Sequence, residues 1–229
     1  MKTNVVIGGK TLNCAKYKMA TNVVVSVVSL FPSTAPSAYN LISTYTSNQT
    51  WTAPESGYFK IEVFGASGSG GYGTVGLMNA SGGGGGGGGY SCSSGVTLNK
   101  GDTIVLTIGD IGATTSAVVN SSYNDSYDHT LQVTSGTNGG DSITFRSPGE
   151  GGAGGTASGG KTTNTNGGAG GDGTAKISSN ATPGSGGAAG YTGGNAGGAG
   201  GTGLTSGSNT PGDSGKAGFI KIYRGNTNV

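Results

Sequence analysis

Short alternations of apolar and polar residues recur at widely separated points along this chain. Tyr58–Phe64 (YFKIEVF) sets Phe59, Ile61 and Val63 against Lys60 and Glu62, the period-two pattern of a half-buried strand. Thr103–Ile108 (TIVLTI) predicts a second strand and Ser142–Arg146 (SITFR) a short one. Ala217–Arg224 (AGFIKIYR) predicts the last, with Ile220 and Ile222 on one face. Upstream, Asn4–Ile7 and Asn22–Leu30 are further strand candidates, and PSTAP at Pro32–Pro36 breaks the pattern. Helical periodicity is nowhere evident, so the expectation is an all-β fold, a sheet or sandwich. Residues 1–45 hold few glycines and read as an N-terminal β arm or attachment segment; residues 46–229 read as one glycine-rich domain.

Glycine fills the space between these strands. It accounts for 52 of 229 residues, with Gly82–Gly89 an unbroken run. Glycine loses more backbone entropy on folding than any other residue. A chain that returns to a patterned strand beside its C-terminus, after so much glycine, is using the glycine inside a fold. Between Gly149 and Gly215 sit 26 glycines, grouped as GEGGAGG at Gly149–Gly155, GGAGGDG at Gly167–Gly173 and GGNAGGAGGTG at Gly193–Gly203. The spacing approaches three, the repeat of the polyproline-II helix, which has no internal hydrogen bonds. Its amides and carbonyls must find partners elsewhere. Glycine helices packed side by side supply them, because backbones without Cβ atoms approach closely. Each run is then a rod, and Ala113–Asn138, Thr156–Asn166, Thr174–Pro183 and Leu204–Pro211 are polar turns offering a binding surface on a rigid support.

Charge and cysteine remove several classes. Twelve Lys+Arg against ten Asp+Glu give a formal +2, without the basic stripe of a nucleic-acid binder or the high net charge of a disordered chain. The Gly-X-Y period of collagen is absent, and no apolar run reaches the length of a transmembrane helix. Asn22–Phe31 is apolar but lacks the flanks of a secretory signal, which points to synthesis in a cytoplasm without export. Cys14 and Cys92 form no CxxC and read as ordinary thiols.

The order of features carries a resemblance. TWTAPESGYFKIEVFGASGSGG, a polyglycine run ending in Tyr90, LNKGDTIVLTIGDIG, GGDSITF, repeated GG-x-GG segments and PGDSGKAGFIKIYR follow one another over Thr50–Arg224. This succession resembles the glycine-rich domain of bacteriophage tail-fibre and receptor-binding proteins. More distantly, the runs look like those of the tip adhesins of T-even-type phages, whose attachment region residues 1–45 do not resemble. The resemblance implies a β-sandwich extended by packed polyglycine-II helices, loops that meet the bacterial surface, and a homotrimer.

Candidate chemistry is sparse. GTASGGKT at Gly155–Thr162 matches the phosphate-binding pattern GxxxxGK[ST] literally, but neither flank is the strand or the helix that such a loop needs. His129 is the only histidine, which excludes a histidine metal cluster, and there is no GxSxG elbow for a triad. Asn124, Asp125 and Asp128 lack calcium-loop spacing. Trp51, just ahead of the first domain strand, reads as core. Tyr123 and Tyr127, beside Asn124, Asp128 and His129, are rings and polar groups of the kind that stack on and hydrogen-bond a sugar; with Tyr191 they form the candidate receptor-binding set. The expected function is therefore non-enzymatic: a virion protein of tail fibre or tip that recognises a host-surface glycan or protein, joined to other virion proteins through residues 1–45. No cofactor, metal, nucleic acid or membrane insertion is expected. The alternative is a capsid-decorating or head-fibre protein.

Overall fold

In the computed structural model of the protein, the described residues are 35–123, 128–143 and 147–226, together with the backbone of three N-terminal strands. Every regular element among them is a strand. β1 (Lys2–Ile7), β2 (Lys10–Lys18) and β3 (Val24–Pro32) form an antiparallel sheet in the order β1-β2-β3.

Two five-stranded antiparallel sheets make the sandwich. One runs β13-β8-β6-β15-β4, from β4 (Tyr39–Tyr45), β6 (Gly57–Phe64), β8 (Tyr90–Leu98), β13 (Thr163–Thr165) and β15 (Phe219–Gly225). The other runs β12-β11-β10-β9-β5, from β5 (Gln49–Thr52), β9 (Thr103–Thr107), β10 (Thr114–Asn120), β11 (His129–Thr134) and β12 (Ala157–Ser158). Phe59, Ile61, Val63, Ile220 and Ile222 face Ile104, Leu106, Ala117, Val119, Leu131 and Val133 across an apolar core. The alternation read in YFKIEVF and FIKIYR thus puts every second residue in that core. Trp51 packs against it, edge-on to Phe59 at 5.3 Å.

The sequence expectations need three corrections. Ala113–Asn138 is not a polar turn, because most of it is the β10–β11 hairpin, whose Thr115, Ala117, Val119, Leu131 and Val133 point inward at period two. An inward Thr115 and an outward Val118 mask that alternation. Tyr39–Tyr45 pairs with the C-terminal strand, Ile220 opposite Tyr45 and Gly225 opposite Tyr39, so a boundary at 45/46 cuts through a sheet. Of the Ser142–Arg146 strand, only a bridge from Ile143 to Ser147 appears; residues 144–146 lie outside the described residues.

Beyond the sandwich the chain makes eight extended glycine rods, 65–74, 82–89, 135–142, 149–156, 167–174, 182–190, 195–204 and 210–217, joined by lateral backbone hydrogen bonds at a repeat of three. Rod 82–89 is the axis. Gly82, Gly85 and Gly88 donate to Gly201, Gly198 and Asn195; Gly83 and Gly86 donate to Gly140 and Thr137; Gly84 and Gly87 donate to Gly171 and Gly168. Its carbonyls accept in the same rhythm from rods 65–74, 149–156 and 182–190. Six rods thus surround one, and bonds between successive outer rods close the ring. The last rod lies outside, against 65–74 and 195–204.

This geometry explains the eight-glycine run. A Cβ on Gly83, Gly84, Gly86 or Gly87 would sit 1.9–2.0 Å from a neighbouring carbonyl oxygen. The axial rod has a neighbour in every direction, so no position tolerates a side chain. An outer rod has an open side, and the residues that face it, one in three in rod 149–156, are free to be something else. Glu150, Ala153 and Thr156 are those residues in one rod, all exposed, while Gly149, Gly152 and Gly155 are buried. Several outward side chains of these rods bond amides that the lattice leaves unpaired. Thr137 Oγ1 accepts from Ala153 N at 2.7 Å, Asn138 and Asp141 Oδ1 accept from Ser69 and Tyr72 N at 2.9 and 2.8 Å, and Asp172 Oδ1 accepts from Gly151 N at 2.7 Å.

Candidate functional site

Rods 65–74, 135–142, 167–174 and 195–204 leave the sandwich and the others return, as the parallel and antiparallel registers of their bonds require. Four turns therefore meet at the free end of the bundle. β7 (Met78–Ala80) and β14 (Ala175–Ile177) pair there, Ile177 opposite Met78. Val75 bridges Leu204, and Gly73 bridges Thr210. Asn79 is fully buried and ties the turns together. Its Nδ2 donates to Ser179 O at 2.9 Å and its Oδ1 accepts from Ala181 N at 3.0 Å. Ser81, also buried, donates to the carbonyls of Thr174 and Thr182. The free end is a set of turns held from beneath by buried amide and hydroxyl bonds.

What these turns expose is apolar. Tyr72 (54%), Leu77 (70%), Ile143 (71%) and Ile177 (52%) are among the largest exposed hydrophobics of the described residues. They come from three different turns and the rod leading into one of them. None contributes to the sandwich core. Asp141, Glu150, Asp172 and Lys176 are charges on or beside the described part of this end, so its apolar side chains stand among hydroxyls and a few charges.

The candidate residues read from the sequence lie elsewhere. Tyr123, Asp128 and His129 sit at the β10–β11 turn, the end of the sandwich away from the rods, and Asn124 and Tyr127 lie outside the described residues. Asp128 Oδ1 accepts from Ser121 N at 2.6 Å. His129 Nε2 meets Ser93 Oγ at 2.8 Å, joining the two sheets, and the fully buried Ser93 also accepts from Lys161 N. Among the described residues no group of His, Cys, Asp or Glu is arranged to hold a metal. The GTASGGKT segment passes from β12 in one sheet to β13 in the other, with a strand where a phosphate loop has a helix.

Tyr191 stands apart from that set, half-exposed at the junction of rods and sandwich, stacked on Tyr90 at 4.3 Å. Beneath the pair lies a buried carboxylate. Glu62 takes an ion pair from Lys60 Nζ at 2.6 Å and hydroxyl bonds from Tyr223 at 2.6 Å and Tyr90 at 3.0 Å. Burial pushes the Glu62 pKa up; the Lys60 pair and the two hydroxyls outweigh it, so the carboxyl sits below its usual value. Burial and the same carboxylate raise both tyrosine pKa values, and burial raises that of Cys92. The cluster is fully satisfied, which marks it as a structural polar network on the outer face of the sheet.

A family model described as a glycine-rich domain matches residues 43–228. The chain belongs to the glycine-rich domain family. Comparison with curated proteins finds no match. The matched span covers the sandwich from the middle of β4 and all eight rods of the glycine-rich domain, leaving β1–β3 outside it.

Proposed function

We propose that this protein is a non-enzymatic bacteriophage virion protein, a tail-fibre or tail-tip adhesin that recognises the host surface through the turns at the free end of its glycine bundle. The observation that carries the reading is polarity. At one pole the chain enters the sandwich, where Asn226 N donates to Ala38 O at 2.9 Å and Asn40 Nδ2 to Asn226 Oδ1 at 2.7 Å. At the other pole, beyond the rods, Tyr72, Leu77, Ile143 and Ile177 are held out on rigid turns. Exposed apolar side chains on a supported end, away from the core, are what an interaction surface presents. Residues upstream of Ala38 attach the protein to other virion proteins, and a homotrimer multiplies the tips and raises avidity.

The test is binding of purified, fluorescently labelled protein to intact bacteria, beside Leu77→Ser/Ile143→Ser/Ile177→Ser and Tyr123→Ala/Tyr127→Ala variants. Strain-specific binding lost at least ~10-fold in the first variant, with melting unchanged, places recognition at the free end. Loss only in the second places it at the β10–β11 turn. Binding to no strain, with binding to purified capsids, replaces the reading with the decorating role.

A further inference from the structure

Two Asn-Gly pairs occur in the whole chain, Asn138-Gly139 and Asn166-Gly167, and both lie at the rods. In this dipeptide the glycine amide nitrogen can attack the asparagine Cγ. The N–Cγ bond forms, the Cγ–Nδ2 bond breaks, and the amide proton leaves with the nitrogen as ammonia. Water then opens the five-membered imide at either carbonyl, giving aspartate or isoaspartate.

Both reacting groups are held by the lattice. Gly139 N donates to Ser69 O at 2.8 Å while Ser69 N donates to Asn138 Oδ1 at 2.9 Å, so one backbone residue clamps nucleophile and electrophile in an extended arrangement. Gly167 N donates to Gly155 O at 2.8 Å while Asn166 Oδ1 accepts from Ala157 N at 3.0 Å. Ring closure requires breaking both bonds and turning the chain out of its rod.

We propose that Asn138 and Asn166 are latent modification sites, locked while the bundle is closed and released when it opens. The modification makes opening irreversible. Isoaspartate carries the chain through the side-chain carbon and adds a backbone atom, which destroys the three-residue register that every lateral bond depends on. A bundle that opens for long enough is thereby retired from refolding. This proposal does not depend on the adhesin reading.

The experiment is peptide mapping by mass spectrometry of the full chain aged at mildly alkaline pH, native, in urea, and as Gly86→Ala. Native deamidation at both sites is expected to be at least about a thousandfold slower than in urea, the factor that about 4 kcal/mol of opening imposes. Gly86→Ala leaves both dipeptides intact and is expected to accelerate both, whether it loosens the bundle or unfolds it. After ageing in urea and refolding, isoaspartate at these sites should concentrate in the fraction that fails to refold. Asn138→Ser/Asn166→Ser should then recover better than the unmodified sequence. Equal native and unfolded rates, or no acceleration in Gly86→Ala, would overturn the lock. Refolding of isoaspartate-containing chains would overturn the irreversibility.

Discussion

Gly86→Ala is the smallest change that tests the lattice. Its Cβ would lie 1.9 Å from Ala153 O and 2.5 Å from the adjoining carbonyl carbon, both backbone atoms that no rotamer can move aside. Ordinary contact begins at 3.4 Å, so rod 149–156 must retreat by about 1.5 Å. That retreat breaks the bonds from Gly149, Gly152 and Gly155 to Ser81, Gly84 and Gly87, now 2.8–3.0 Å. At ~1 kcal/mol net for each bond the loss is about 3 kcal/mol. Overpacking strain adds about 1–3 kcal/mol. Replacing glycine restricts the unfolded chain and returns about 0.4–1 kcal/mol. The expected destabilisation is about 3–5 kcal/mol, read as a melting shift of roughly 6–20 °C for a chain of this size. Ala153→Ser, on the open side of the neighbouring rod, should stay within about 0.5 kcal/mol. Calorimetry, with hydrogen exchange at Gly83–Gly89 to localise the effect, measures both. A Gly86→Ala protein within 0.5 kcal/mol of the original, as judged on the scale of surface substitutions, would refute the close-packed axis.

Three further outcomes follow from the same geometry. The folded-state pKa of Glu62 is depressed, so its stabilisation is present above the unfolded carboxyl value of about 4.3 and lost as pH falls through the lower folded value. Glu62→Gln should cost about 1–3 kcal/mol at pH 7 and flatten the stability profile in that acid window, as acid titration of urea midpoints will show. A 35–229 fragment should unfold cooperatively, whereas a 46–229 fragment, lacking β4 and leaving β15 with an open edge, should melt lower or aggregate in the same calorimetric scan. Inserting one glycine between Gly186 and Gly187 turns Ala189 into the place of Gly190, where a Cβ would meet Thr165 O at 2.6 Å, and carries Ala188 a third of a turn off the open side. Inserting Gly-Gly-Ala returns it to the open side. The single insertion should destabilise more than the triple one, and the reverse order would contradict the threefold rods.

Much of the sandwich was legible because YFKIEVF, TIVLTI and FIKIYR alternate strongly enough to show which face is buried. The β10–β11 hairpin was not, since its inward set includes Thr115 and Ala117 beside three larger residues, and its outward set includes Val118 among Ser, Thr, Asn and Gln. β8 was hidden in the same way, with Ser91 and Ser93 fully buried in a strand that begins directly after the polyglycine run. The free-end surface was also illegible from local pattern. Leu77, Ile143 and Ile177 stand tens of residues apart, and only the lateral register of the rods brings their turns to one end. Leu77 stands in the short apolar stretch Val75–Met78 and Ile177 alone between Lys176 and Ser178, and neither pattern by itself signals a surface.

The glycine segments hold more information than their low complexity implies. A rod with six neighbours admits no side chain, and a rod on the rim admits them where it faces outward, at every third residue in 149–156 and at both Thr137 and Asn138 in 135–142. The interval between non-glycine residues therefore reports a rod's place in the lattice: Gly82–Gly89 has none and lies on the axis, while GEGGAGG has one in three and lies on the rim. The identity of these outward residues adds a second reading. Thr137, Asn138, Asp141 and Asp172 stand where an adjacent outward amide needs an acceptor, and each supplies one. Alanine stands at Ala169, Ala188 and Ala196, where the open side of the rod faces solvent and water can serve the amides. A chain whose glycines were a flexible filler would have no reason to keep either the interval or the chemistry of the third position. Keeping both makes the bundle a rigid spacer, and rigidity is what lets turns distant in sequence present one surface.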